Sequence, residues 1–229
     1  MLNNKFILKI ISIFLVLFIS IPTFVFAFDT DFIWNGDDIT ASVNTDASEE
    51  KSNSLNLESG AAILIEQNSG KVLYEHNIHE KLRPASVTKV MTILLIMEAL
   101  DSGRISLDDK VPCSENATKM GGSQIWLDTR ESLTVHEMLK AICVVSANDC
   151  TVAMAEFLAG STEAFVTQMN VRARELGMND TTFKNCHGID EEGHLTSAYD
   201  ISLMSRELLT KHPKITEYTT IWMDSLRDR

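Results

Sequence analysis

Positive charge is scarce in this chain: 20 Lys and Arg stand against 32 Asp and Glu, for a formal charge of −12. That balance excludes the basic footprint a nucleic-acid partner requires. It otherwise speaks mainly to solubility. Cysteine is scarce too, and Cys113, Cys143, Cys150 and Cys186 are spaced too widely for a disulfide scaffold. No Cys-x-x-Cys pair and no histidine-rich cluster accompanies them, so neither a metal nor any other cofactor is implied. Cys143 and Cys150 fall in apolar helical sequence, where a buried thiol is the ordinary outcome. A single disulfide stays open, with no pairing chosen. Internal repeats are absent as well.

What is present begins with a segment built for export. Lys5 and Lys9 precede an apolar run from Ile10 to Ile21, broken only by Ser12 and Ser20, and Val25 and Ala27 supply the small residues of a cleavage site. These features predict a secretory signal peptide over residues 1–27, ahead of the rival reading of a retained anchor. In either case the rest of the chain works outside the cytoplasmic membrane, secreted or at its outer face. Cleavage after Ala27 removes two lysines and no acid, leaving 202 residues with a formal charge of −14. That length holds one substantial core or two small ones.

Residues 28–60 are polar and poor in clustered hydrophobes, which predicts a flexible leader. The folded part is expected over residues 61–229. Ala61–Glu66 and Lys71–Glu75 read as a hairpin closed at Asn68-Ser69-Gly70. Ser86–Leu100 is apolar on nearly every side, the pattern of a central helix. A mixed segment around Gly121-Gly122 reads as loop with short helical pieces. Thr134 and Glu137 form a capping-box pattern that opens a helix to about Val145. Further helices are expected over about 149–158, stopped by Gly160, over 162–176, ended by Gly177, and over 197–209, with Thr196 as N-cap. Asp180–Gly193 is loop-like, with a brief extended piece at Thr182-Phe183.

Ser86-Val87-Thr88-Lys89 carries the sharpest chemical signal. A serine and a lysine three apart share one helix face. Ser86 would occupy the first turn, where free N–H groups and the helix dipole favour developing negative charge. Lys89 has no charged neighbour in the next eight residues. Desolvation among aliphatic side chains favours its neutral form and makes it a candidate base for the Ser86 proton. The competing reading is an N-capping serine and a lysine that snorkels out of the core. Ser146-Ala147-Asn148, at the junction of two expected helices, tips the balance. Ser146 is placed to relay a proton to a leaving amine, and Asn148 to hold Lys89 and a substrate peptide group. Alone, this triplet would read as helix capping. His187 and Asp190 suggest a Ser-His-Asp arrangement only weakly, because no G-x-S-x-G elbow accompanies them; loop-shaping is the better reading. His76, His79, His136, His194 and His212 are scattered, and surface or turn roles suffice for them.

Together these segments resemble the serine-type D-Ala-D-Ala carboxypeptidases, the low-molecular-mass penicillin-binding proteins. The likeness is carried by Arg83–Lys89, Ser146–Asp149, Phe183-Lys184-Asn185, His187-Gly188 and His194–Asp200, and extends over about 61–228. It implies an α+β fold of the penicillin-binding and β-lactamase-like transpeptidase type, a helical subdomain with an antiparallel sheet. It also implies Ser86 as acylated nucleophile, Lys89 as general base, and Ser146 and Asn148 as second motif. The implied substrate is the D-Ala-D-Ala end of a peptidoglycan stem peptide, in cell-wall maturation. β-Lactams would acylate the same serine.

The family's third motif, Lys-Thr-Gly, does not occur in this sequence. The catalytic domain is therefore expected to be incomplete, without its C-terminal strands, and membrane contact is limited to the signal or an absent C-terminal anchor. Residues 28–229 alone are expected to fold poorly, with one flank of the central helix in water, and to release little D-Ala. The alternatives are a catalytically inactive wall-associated remnant that binds stem peptides or penicillin, and an endopeptidase using the same residues. A class A β-lactamase ranks below these, because Glu175-Leu176-Gly177-Met178-Asn179 has the wrong spacing for its Glu-x-x-Leu-Asn loop.

Overall fold

The computed structural model describes residues 57–227, so the expected signal peptide and almost all of the leader lie outside the described residues. The first hairpin pairs β1 (Ala62–Ile65) with β2 (Val72–His76), antiparallel, with an irregularity between Leu64 and Ile65. Its turn forms where expected. Gly70 takes φ +74°, and the Glu66 carboxylate accepts the backbone N–H groups of Asn68 and Ser69. Arg206 donates to the Gln67 carbonyl at 2.8 Å and ties this turn to the last long helix.

The apolar segment becomes α1 (Lys89–Asp101), preceded by a 3-10 turn over Ala85–Thr88. A second ladder pairs β3 (Lys110–Pro112) with β4 (Ser132–Thr134), with the short α2 (Glu115–Thr118) between them. Only loop and short helical pieces are expected there from the sequence. Three-residue strands are too short to display a period of two, and only Val111 and Leu133 reach the core. The described residues thus hold two two-stranded antiparallel sheets, plus isolated bridges joining Leu82 to Thr196 and Thr182 to Leu195. The brief extended piece at Thr182 forms as expected.

The remaining helices follow their signals closely. α3 (Val135–Val145) opens with the full Thr134–Glu137 capping box. α4 (Asn148–Ala159) stops at Gly160, and α5 (Thr162–Glu175) is capped by Ser161. α6 (Ala198–Lys211) begins one residue later than expected, capped by Ser197 rather than Thr196, whose backbone is engaged in the bridge to Leu82. A 3-10 turn at Pro213–Ile215 leads into α7 (Thr216–Thr219).

α1 is the centre of the described residues. Every residue from Lys89 to Met97 is buried, beneath α4, α5 and α6. The expected open flank is therefore not found: the 183–187 segment, with Phe183 and Cys186 both at 1% exposure, helps to close it. Burying each Leu, Ile or Val of this helix contributes about 1.5–3 kcal/mol. All four cysteines are buried free thiols. Among the described residues, no helix is long and apolar enough to cross a membrane.

Candidate active site

The site begins with a backbone that an alanine rarely adopts. Pro84 is buried, and Ala85 follows it in the left-handed region at φ +46°. Such strain persists only where surrounding structure over-determines it. The chain then turns through the 3-10 segment, with Val87 N–H donating to the Pro84 carbonyl at 3.1 Å. Ser86 sits in this turn rather than in the first turn of α1, and its side chain is exposed.

Lys89 opens α1 pointing inward, only 3% exposed. Its Nζ lies 3.3 Å from Ser86 Oγ and donates to the His187 carbonyl at 2.8 Å. The snorkelling alternative is thereby excluded. Burial lowers the Lys89 pKa from 10.5 to about 8, opposed weakly by Cys186. An amine at that value is neutral in roughly a tenth of molecules at pH 7, against roughly 0.03% at the ordinary value.

The second motif lies at the α3–α4 junction. Ser146 ends α3 in the left-handed conformation, φ +57° and ψ +39°. Ala147, not Ser146 or Asn148, occupies the N-cap of α4, and no side chain caps that helix. Side-chain capping of α4 therefore does not account for either residue. Among the described residues the half-buried Ser146 hydroxyl makes no hydrogen bond. Asn148 is 5% exposed and donates from Nδ2 to the Gly121 carbonyl at 2.8 Å. It does not reach Lys89, the contact expected of it. Its backbone N–H donates to Ser123 at 2.7 Å.

One segment links the two motifs. The Thr92 hydroxyl of α1 donates to the Cys186 carbonyl at 2.7 Å, and Cys186 Sγ contacts the Thr151 carbonyl of α4 at 4.0 Å. Thr151 in turn donates to the Ala147 carbonyl at 2.7 Å. Cys186-His187 thus threads between α1 and α4, and its next carbonyl holds Lys89. Asn185 Oδ1 accepts the Gly188 N–H at 2.7 Å and its amide donates to Ile189, which shapes the loop. His187 and Asp190 do not pair: His187 Nδ1 accepts from Ile189 N–H, while Asp190 binds Arg83. Burial, then neighbouring Lys89, pushes the His187 pKa down to about 4.

Several contributors were invisible to spacing arguments. The His187 carbonyl is a backbone group, which no motif reports. Asp149 is 0% exposed and accepts N–H groups from Ile125 and Leu127, both at 3.1 Å, and from Cys150 at 2.9 Å. It secures the 121–127 loop that Asn148 also holds; its only signal was its position beside the second motif. His194 and His212 are buried at 1% and 9%, so of the surface or turn roles expected for them the surface role does not hold. Each does take part in a turn, through His194 N–H to the Glu191 carbonyl and Ile215 N–H to the His212 carbonyl.

Comparison with known proteins places this geometry in context. Residues 45–228 match the family model for Peptidase S11, D-alanyl-D-alanine carboxypeptidase. The chain is 54% identical over 179 residues to the D-alanyl-D-alanine carboxypeptidase DacF of Bacillus subtilis, covering 78% of this chain and 46% of that protein. The crystal structure of the D-alanyl-D-alanine carboxypeptidase DacD from Francisella tularensis superposes with a TM-score of 0.72 at 31% identity, over 74% of this chain and 41% of that one. Penicillin-binding protein D2 of Listeria monocytogenes, solved in its ampicillin-bound form, gives a TM-score of 0.63 at 30% identity, over 71% and 66%. The chain spans about half the length of the curated relatives it matches, 46% and 44% for two of them.

Proposed function

This chain belongs to the D-alanyl-D-alanine carboxypeptidase family, Peptidase S11, and from that premise we propose that its site is built to cleave the terminal D-Ala from D-Ala-D-Ala stem peptides of peptidoglycan. Its architecture is the α+β transpeptidase fold of the penicillin-binding proteins. The observation that carries the proposal is the buried Lys89 amine 3.3 Å from the hydroxyl of the exposed Ser86.

In the proposed reaction, neutral Lys89 Nζ takes the proton of Ser86 Oγ as that oxygen attacks the carbonyl carbon of the penultimate D-Ala. The His187 carbonyl keeps one Nζ–H occupied, so the amine's lone pair is directed elsewhere. The ammonium formed returns its proton, by way of the Ser146 hydroxyl, to the departing amine of the terminal D-Ala. The C–N bond breaks, leaving an ester on Ser86. Water activated by Lys89 then hydrolyses that ester and frees the serine. Asn148, fixed on Gly121, offers its remaining amide capacity to the substrate's peptide group. The third motif of the family would add a carboxylate clamp and an oxyanion donor, and loss of one such donor costs about 3 kcal/mol in the transition state. β-Lactams would acylate Ser86 by the first half of the same sequence. The work would take place in the cell wall, outside the cytoplasmic membrane.

The test is incubation of the chain with a fluorescent penicillin and a D-Ala-D-Ala stem-peptide mimic, followed by peptide mass mapping. A covalent adduct on the Ser86 peptide that Ser86→Ala abolishes is the expected result. An adduct that survives Ser86→Ala, or no adduct at all, would overturn the assignment of the nucleophile.

A further inference from the structure

A buried chain of hydrogen bonds runs beneath Ser86, and no step of the proposed reaction uses it. His194, on the loop before the Leu195–Thr182 bridge, is 1% exposed. The Lys184 backbone nitrogen lies 2.9 Å from its Nδ1, and its Nε2 lies 2.7 Å from Thr88 Oγ1. Thr88 Oγ1 also lies 2.8 Å from the Ala85 carbonyl oxygen.

The proton positions follow from what each group can do. A backbone N–H only donates, so Nδ1 accepts and carries no proton. A neutral imidazole carries one, which must then be on Nε2 and point at Thr88 Oγ1. The Thr88 hydroxyl proton is left for the Ala85 carbonyl, which only accepts. An imidazolium would set an Nδ1–H against the Lys184 N–H. Burial acts in the same direction and holds His194 below its ordinary pKa.

The chain of bonds ends on the peptide that carries the strain. Ala85 at φ +46° immediately precedes Ser86, and its carbonyl is held by Thr88 and lies where a β-carbon on Gly188 would stand. We propose that His194 is a positioning residue for Ser86: its Nε2–H orients the Thr88 hydroxyl onto the Ala85 carbonyl, and so fixes the Ala85–Ser86 peptide that aims Oγ at Lys89. This inference rests on the reading of Ser86 as nucleophile.

Two substitutions separate positioning from loop anchoring. Gln at position 194 keeps a donor where Nε2 stood and loses the acceptor for Lys184; Asn keeps that acceptor and loses the donor. Acylation of Ser86 in the full chain, followed with a fluorescent penicillin, is expected to slow by roughly 100-fold in His194→Asn and by less than about 5-fold in His194→Gln. Thr88→Ser should stay near the parent and Thr88→Val should match His194→Asn. The reverse order, or equal losses within either pair, overturns the positioning role. A second measurement is independent of turnover. Long-range 1H–15N NMR at neutral pH should find the Nε2–H tautomer, with a protected proton whose exchange Thr88→Val accelerates; an Nδ1–H tautomer or an imidazolium overturns the role. A parent chain that is never labelled overturns the nucleophile reading and the positioning role with it, whereas a labelled parent with indifferent variants overturns the positioning role alone.

Discussion

The Cα of Gly188 lies so close to Ala85 that a β-carbon on it would stand 1.9 Å from the Ala85 carbonyl oxygen and 2.4 Å from its carbonyl carbon. No side chain can yield there, because both atoms are backbone. Gly188 also adopts φ +90°, which only glycine takes without cost. Its absence of a side chain lets the 185–189 loop close on the strained peptide in front of Ser86.

Gly188→Ala should therefore cost on the order of 3 kcal/mol of stability. It should also slow Ser86 acylation by about 100-fold, since displacement near 1 Å at a reacting centre has that effect. Gly103 provides the control. It has φ +70° with open space around it, so Gly103→Ala carries only the conformational penalty, about 1 kcal/mol, and leaves acylation intact. Urea unfolding and penicillin labelling of the two variants check both statements. Equal effects would show that the contact with Ala85 is immaterial.

Lys89 predicts the pH dependence of acylation. Its pKa is lowered to about 8 by burial, so the basic form accumulates as pH rises through that value. The acylation rate should climb tenfold per pH unit below about 8 and level off above it. Lys89→Arg keeps the charge but cannot lose it, and should fall by about 10²–10⁴-fold without that rise. A flat profile in the parent between pH 6 and roughly 9 would remove Lys89 from the role of base.

Asp149→Asn tests the support of the second motif. The buried carboxylate accepts three backbone N–H groups, and an amide replaces one of its oxygens with a donor facing those donors. A loss of about 2–3 kcal/mol is expected, with faster amide exchange at Ile125 and Leu127. The exposed Asp108→Asn should change stability by less than about 0.5 kcal/mol. Unchanged exchange at both amides would mean that the loop is held by other contacts.

The contrast between Lys89 and His187 shows what the sequence could and could not reveal. Lys89 was legible because helical spacing places it beside Ser86, and the apolar residues around it announce burial. The long helices were legible for the same reason, through period and caps such as Thr134–Glu137. Contacts made by backbone atoms from distant loops leave no such trace: neither the His187 carbonyl on Lys89 nor the fit of Gly188 on Ala85 follows from any local pattern. The β3–β4 ladder was missed because three residues show no alternation. Expecting an open flank on α1 failed because it counted strands and overlooked the cover given by helices and the 183–187 segment.

The buried histidines give the last expectation, on stability against pH. His187 is held down to about 4 from an ordinary 6.5, first by burial and then by Lys89, and His194 is lowered by burial. In the unfolded chain both bind protons near 6.5, whereas the folded protein refuses them. The unfolded state therefore binds more protons across this interval, and stability must rise with pH from about 4 to about 6.5. Acidification through the same window weakens the fold, and His187 adds no further loss below about 4. The exposed Glu66, lowered from 4.5 to about 2 by hydrogen bonds from Ser69 and Asn68, acts between those two values, so its effect meets the histidine window only at the lower edge. His187→Asn isolates one histidine: its amide oxygen can still accept the Ile189 N–H, but nothing remains to be protonated. Urea midpoints measured from pH 7 down to roughly 4 should fall less steeply in this variant than in the parent. Parallel curves would mean that His187 titrates in the folded protein as it does in the unfolded chain, and that its enclosure beside Lys89 does not hold in solution.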